Sequence, residues 1–441
     1  MPTTVTNSDQ LRLAALAGDP HIVVEGHLTG APMITLKPGV KLSGGSLTFG
    51  ARGLQLTSDN VVSDMAILCP DHEVAIGNAL SGSSLGTITL RNVETTGQVL
   101  LLADESVHDG SVLVDGLFIR SADMRGRAER PHGFGVDALQ GAFTLWNRQS
   151  DPTSEISAEL RNITVGTSEK PVRGSGVFVG GYGDNQGKPV GGRVVVSELT
   201  TGDITVHGGI PDATPDLISG GLFMQAGAVV DLVRNTGHVT TLGPNDMVLD
   251  NWGEVHEWIA EGQITSRGPS GIGFVNFGVL GTLEVSGGIE TWGQGARGFN
   301  LYDGTLQQAS FNSITTHGDG AVGIQITKAM GTLTVTGDIR TTGGEGTSLV
   351  RGQQVLLKAI AFSLKPGGSI HSLQVRGEFV SIGDDVVTAE IQGPIASISI
   401  TGGITAHGSN SDAVHISSDS AQLESTKLTA TNGSKLVHTD S

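Results

Sequence analysis

Four short segments, Ile264–Gly268, Ile289–Gly293, Ile314–Gly318 and Ile339–Gly343, follow one another at a constant step of 25 residues. Val239–Gly243 keeps the same step backwards, and related strings start at Val93, Ile204 and Ile404, with a weaker echo at Leu428. A second register runs beside the first: Leu249, Phe274, Phe299 and Ile324 share one column, and Gly273, Gly298 and Gly323 share the column before it. Apolar residues alternate within each repeat, as a strand with one buried face requires. A unit of three short strands and tight turns cannot bury that face alone. Stacking each unit on the next pairs the backbones and lines a continuous core. The expected fold is therefore all-β: a right-handed parallel β-helix of about 25 residues per rung, with rungs about 4.8 Å apart. Glycine supports this reading, with 66 residues placed mainly between the strand-like runs. Leucine-rich repeats and calcium-binding nonapeptides lack their signatures here, and a propeller needs about 40 residues per blade.

The spacing also fixes a domain plan, one β-helix domain over 1–441. Residues 1–20 form an N-terminal cap with an amphipathic helix from Ser8 to Ala17, coils run through 21–430, and 431–441 is a tail. Val93 to Ile119 is one clean step of 26 residues. The steps then lengthen: 44 from Ile119 to Ile163, 41 to Ile204, 35 to Val239, and 41 from Ile339 to Val380. Each longer step holds either two short rungs or one rung with an extra loop; the candidate loops lie near 123–133, 183–192, 208–219 and 344–379, and such insertions often build a binding surface. The opening Ile22–Gly26 and Ile34–Leu42 resembles the first turn of pectate-lyase-type β-helix proteins. The repeat Ile314–Ile324 resembles the coils of bacterial autotransporter passenger domains. Both resemblances imply the fold and neither brings a set of catalytic residues.

The formal net charge of −18 disfavours nucleic acid and anionic membranes as partners. Arg125, Arg127, Arg130 and His132 are the one basic cluster along the chain. Cys69 is the sole cysteine, so no intrachain disulfide forms and nothing points to an oxidising compartment. The N-terminus lacks the pattern of a signal peptide, and no stretch has the length and apolarity of a membrane span. The expected location is cytoplasmic, with signal-independent export or a phage particle as alternatives. The oligomeric state stays open, a homo-oligomer included.

Eleven of the eighteen aromatic residues fall between Phe178 and Phe311. If Leu249, Phe274 and Phe299 point inward, Asp250, Val275, Asn300 and Gln325 point outward, and Asn251 and Asn276 point inward as a ladder. Trp252, Phe277 and Tyr302 then stand outward on successive rungs, followed by Thr327. An outward aromatic strip on a polar surface marks a contact site, on whose flat faces sugar rings stack, unless an inserted loop covers the rings and makes them a satellite core under a flap. The candidate acids beside it are Asp250, Glu254 and Asp303, with Asp184 from the loop after Tyr182. Two such carboxylates would serve as general acid and base on a glycosidic bond. Tyr182, Asn300, Lys328 and Arg351 complete the expected binding set. The inward column Ser266, Thr291, Thr316 and Thr341 reads as structural and mutually satisfied. Arg267, Trp292, His317 and Thr342, on the neighbouring turn, read as solvated.

Other motifs fail on context. Gly82–Gly86 matches a nucleophile elbow, but a strand follows instead of a helix. His256–Glu257 lacks a second histidine one helical turn on. No phosphate loop or dinucleotide fingerprint occurs. Lyases of this fold use calcium with an arginine or lysine base, but no family motif accompanies Lys328 and Arg351, so no cofactor is expected. Three functions remain. The first is a carbohydrate-active protein binding or acting on a poly- or oligosaccharide along the 178–330 face, as hydrolase, lyase or transferase if an enzyme. The second is a non-catalytic structural or adhesive solenoid. The third is a biosynthetic enzyme reusing the scaffold.

Overall fold

A computed structural model describes residues 1–211, 214–350, 353–417, 423 and 425–439. Parallel strands dominate, stacked rung on rung as a parallel β-helix. The chain divides into two compact units, Met1–Gly209 with Leu222–Thr236, and Ile210–Gly221 with Gly237–Ser441.

The first unit opens with a short strand, Thr3–Val5, which pairs with Ile22–Val24, and a helix over the expected Ser8–Ala17 follows it. The Asn7 side chain accepts from the Gln10 amide at 3.0 Å, and Gly18 ends the helix at φ 79°, a left-handed cap that glycine adopts at little cost. Leu11, Ala14 and Ala15 are buried, whereas Leu13 and Leu16 are exposed. Four long strands then stack in parallel: Ser84–Thr96, Asp109–Ser121, Glu155–Val165 and Arg193–Val206. Val93 pairs with Leu117, and Ile119 pairs with Thr95. The step inferred from Val93 to Ile119 was thus two residues too long. A slip of two leaves every side chain on its own face, so the apolar pattern could not reveal it. Ile119 pairs directly with Val165, so the long step here is one rung carrying an excursion. Part of that excursion is a small antiparallel pairing of His132–Gly133 with Val136–Ala138.

The second unit holds the regular repeat in three strand columns. Ile264–Ser266, Ile289–Thr291, Ile314–Thr316 and Ile339–Thr341 pair in unbroken register. A second column runs through Glu254–Ala260, Val279–Val285, Thr305–Phe311 and Ala329–Val335. The third runs through Asp246–Asn251, Ile272–Asn276, Arg297–Leu301 and Val322–Ile326. Its inward aromatics meet those of the second column: Phe274 lies 4.9 Å from Trp258, and Phe299 lies 4.9 Å from Phe311. Truncating a buried ring of this kind costs about 3–5 kcal/mol. The glycine column exists because the strand columns close tightly. A Cβ on Gly298 would collide with Ile314 Cγ2 and stand 2.6 Å from the Gly323 carbonyl oxygen.

In the first column the step lengthens after Ile339. Ile339 pairs with Phe379, one residue before the expected Val380. The surplus is an antiparallel hairpin, Glu345–Val350 against Gln353–Lys358, and the Ala359 amide returns to the Gly344 carbonyl at 3.0 Å. The 25-residue step then resumes, Phe379 pairing with Ile404. Leu436–Thr439, expected as tail, pairs with Val414–Ser417.

The inward asparagine ladder forms: Asn251 Nδ2 donates to Asn276 Oδ1 at 2.8 Å, and Asn276 Nδ2 donates to the Gly278 carbonyl at 3.0 Å. The hydroxyl column does not satisfy itself as expected. Ser266, Thr291 and Thr316 are fully buried and their hydroxyls have no hydrogen-bond partner. Thr341 reaches only the Ala359 carbonyl, at 3.4 Å.

Candidate functional site

In the third column of the second unit, Asp250, Val275, Asn300 and Gln325 pair on consecutive rungs, and the ladder continues through Ser363, Glu390 and His415. Six of these seven positions are polar. The expectation that the first three would be solvated is corrected. Asp250 is 1% exposed, and Val275 and Asn300 are fully buried. Further along, Glu390 Oε2 accepts from Lys365 Nζ at 2.6 Å and from Ser363 Oγ at 3.0 Å, while His415 Nε2 lies 2.8 Å from Asp412 Oδ2.

The aromatic ladder is present, but its exposure is uneven. Trp252 is only 3% exposed, whereas Phe277 and Tyr302 are half-buried. Trp252 meets Phe277 edge-on at 6.1 Å, and Phe277 stacks on Tyr302 at 5.0 Å with 23° between the planes. The next rung carries Thr327, whose hydroxyl donates to the carbonyls of Leu301 and Tyr302, both at 2.8 Å. The threonine ties back to the backbone of the preceding rung and carries no ring, so the aromatic column ends at Tyr302.

Burial decides the state of Asp250. Neither carboxylate oxygen has a hydrogen-bond partner, and burial drives its pKa well above the ordinary value. The Trp252 indole lies near enough to oppose that shift but does not reach hydrogen-bond geometry with either oxygen. Desolvation of an isolated carboxylate costs several kcal/mol, so it wins and the group holds its proton.

The other expected acids are occupied separately. Asp303 pairs with Lys328 at 3.1 Å and accepts from the Gly304 amide at 3.0 Å. Glu254 is exposed beside His256 at 3.5 Å. Asp184 and Tyr182 belong to the first unit. There Asp184 Oδ1 accepts from the amides of Gln186 and Lys188, at 2.8 and 2.9 Å, and so closes its own loop. Tyr182 is exposed. Arg351 lies outside the described residues. Asn300, Tyr302, Asp303 and Lys328 therefore share one neighbourhood with Phe277, while the four expected catalytic acids form no pair bridged by a common partner.

Two features escaped the sequence reading. Arg297 pairs in register with Ile272 and Val322, a column that starts at Met247. It is 1% exposed, and its Nε and Nη2 have no acceptor. Burial lowers its pKa to about 10, opposed by the nearby Tyr302, so it remains a cation at neutral pH. An arginine in an otherwise apolar column was the available signal. The second feature is the stacking within the turn column, where Arg267 and Trp292 are exposed as expected. Arg267 lies 4.8 Å over Trp292, Trp292 stacks on His317 at 3.8 Å, and His317 Nε2 meets Glu290 Oε1 at 3.0 Å. Both faces of the Trp292 ring are covered, which makes this an ordered brace along the turns.

Among the described residues, no three His, Cys, Asp or Glu side chains gather as a metal site requires. No described helix is long and apolar enough to cross a membrane. No family model, curated protein or solved structure matches this chain.

Proposed function

We propose that this face of the β-helix binds a poly- or oligosaccharide, with Phe277 and Tyr302 as the apolar platform and the partly exposed Gln325 and Asp303 and the exposed Lys328 as the hydroxyl-reading groups. The observation that carries the reading is the end of the aromatic stack. Tyr302 is half-buried, it stacks on Phe277 on one side, and the following rung offers threonine in its column instead of a ring. The Asp303–Lys328 pair flanks it. Aromatic surface with a few placed polar groups is the usual composition of a small-ligand site. Binding is favoured over cleavage because Asp250 is withdrawn from solvent and Asp303 is held in an ion pair with Lys328.

The test is a glycan array followed by calorimetry on wild type and on Phe277→Ala, Tyr302→Ala and Lys328→Ala. Binding that weakens on the order of tenfold or more in Tyr302→Ala fits the loss of one aromatic contact. Unchanged affinity in that variant, or no binding across the array, would overturn the reading. The burial of Trp252 favours a second reading, a purely structural or adhesive solenoid, and an empty array is the outcome that reading expects.

A further inference from the structure

Two of the chain's insertions meet within the second unit, on the row of turns that joins the first strand column to the third. The hairpin lies along part of that row: Ser348 Oγ donates to the Gly295 carbonyl at 2.8 Å, and the Leu349 amide donates to Ser270 Oγ at 3.1 Å. The segment around Thr214 covers the row further back, where Asn245 Nδ2 donates to the Thr214 carbonyl at 3.1 Å. Between the two covers a cavity of about 130 Å³ remains, walled by Pro211, Pro215, Pro244, Pro269 and Leu349. Four of the chain's 15 prolines thus face one space, and it is open to solvent, because Pro211, Pro269 and the rim residue Gln354 are exposed. Proline fixes φ and has no N–H. These turns therefore present a rigid apolar wall where other residues would present amides in need of partners. One turn position is left-handed on successive rungs: Asn245 at φ 55°, Ser270 at 57°, Gly295 at 66° and Gly320 at 68°. Under the hairpin it is glycine, since a Cβ on Gly295 would stand 2.5 Å from Ser348 Cα. At the two rungs that line the cavity it carries a polar side chain instead, at a cost in backbone strain.

We propose that this cavity binds a small neutral phenol, with its one ring among the prolines and its hydroxyl turned to Asn245 and Ser270. The site is separate from the saccharide reading and does not rest on it. An apolar cavity of about 150 Å³ takes up one benzene ring, so this one has room for a single ring. The face of an aromatic ring is negative, and the proline C–H bonds beside the amide nitrogen are its positive complement. Asn245 donates through Nδ2 and leaves Oδ1 to accept. Ser270 Oγ accepts from Leu349 and keeps its own hydrogen to donate. A hydroxyl that both donates and accepts matches that pair. The net charge of −18 selects against a carboxylate on the ring.

The experiment is a ligand-observed NMR titration of phenol, cyclohexanol, benzoate and N-acetyltyrosinamide into the intact chain. It is repeated on Pro269→Ala and on a chain with Glu345–Lys358 excised and Gly344 joined to Ala359, each checked by far-ultraviolet circular dichroism. Wild type should bind phenol with a Kd on the order of 1 mM or below. Cyclohexanol keeps the hydroxyl but lacks the aromatic face and should bind about threefold or more weakly; benzoate should also bind more weakly than phenol. Pro269→Ala should weaken phenol by about threefold or more, and loss of the hairpin wall by roughly tenfold or more. No saturable phenol binding, or cyclohexanol or benzoate held as tightly as phenol, would overturn the proposal. Unchanged phenol affinity in either variant would place the ligand elsewhere and overturn it too; if the excised chain misfolds, Pro269→Ala decides. N-acetyltyrosinamide binding tenfold tighter than phenol would assign the cavity to a side chain of a protein partner and overturn the small-molecule ligand.

Discussion

Asp250→Asn isolates a single buried proton. In the wild type the native carboxyl has a pKa well above its ordinary 3.8, because it is 1% exposed and neither oxygen has a partner. The unfolded chain returns it to water and to the ordinary value. Below that value both states are protonated, and the group contributes nothing to the pH dependence. Above it the unfolded state releases the proton while the native state keeps it, so stability falls as pH rises. The slope is about 1.4 kcal/mol per pH unit until the native pKa is reached, where the loss levels off. An asparagine has the same shape and does not ionise. The difference in unfolding free energy, Asp250→Asn minus wild type, should therefore climb with pH by about 1.4 kcal/mol per unit from near pH 4 upward. Urea denaturation at pH 4.5, 5.5, 6.5 and 7.5, followed by circular dichroism with refolding verified, measures it. Every other titrating group is common to both proteins and cancels in the difference. Parallel curves across that range would mean that Asp250 is ionised in the folded protein, and the burial argument would fail.

Asn276→Ala removes both the acceptor and the donor of the inward ladder and should destabilise by about 1–3 kcal/mol, read from the shift in urea midpoint. Gly298→Ala forces a methyl against Ile314 and the Gly323 carbonyl and should lose about 1–3 kcal/mol in the same assay; neutrality would show that the strand columns can part. Excising Glu345–Lys358 and joining Gly344 to Ala359, whose backbones already meet at 3.0 Å, should leave an unchanged far-ultraviolet spectrum and a cooperative melt. Cys69 is buried and its pKa is raised to about 12, chiefly by desolvation and secondarily by Glu73. It should resist a thiol reagent at pH 8 in the folded protein and react fully in urea; rapid native labelling would contradict its burial.

The site was only partly legible in the sequence. The 25-residue register put Trp252, Phe277 and Tyr302 in one column, and the ring contacts agree. An ion pair joins Asp303 and Lys328, both members of the expected set. Register says which residues share a column, but not how far that column lies from solvent. Asp250 and Asn300 were therefore read as surface groups and are buried. Arg297 was passed over because a charged residue in a strand is ordinarily assumed to reach water.

Periodicity by itself determined the parallel β-helix, the inward Phe274 and Phe299, the asparagine ladder, the capping helix and the place of the hairpin insertion. Each follows from a local rule, repeated at a fixed step, that side chains alternate and backbones must pair. Only the tertiary structure decided which outward residues are desolvated, which acids hold protons, and that Arg267, Trp292 and His317 stack. Those properties depend on everything packed around a side chain, on residues far away in sequence, and no period along the chain encodes them.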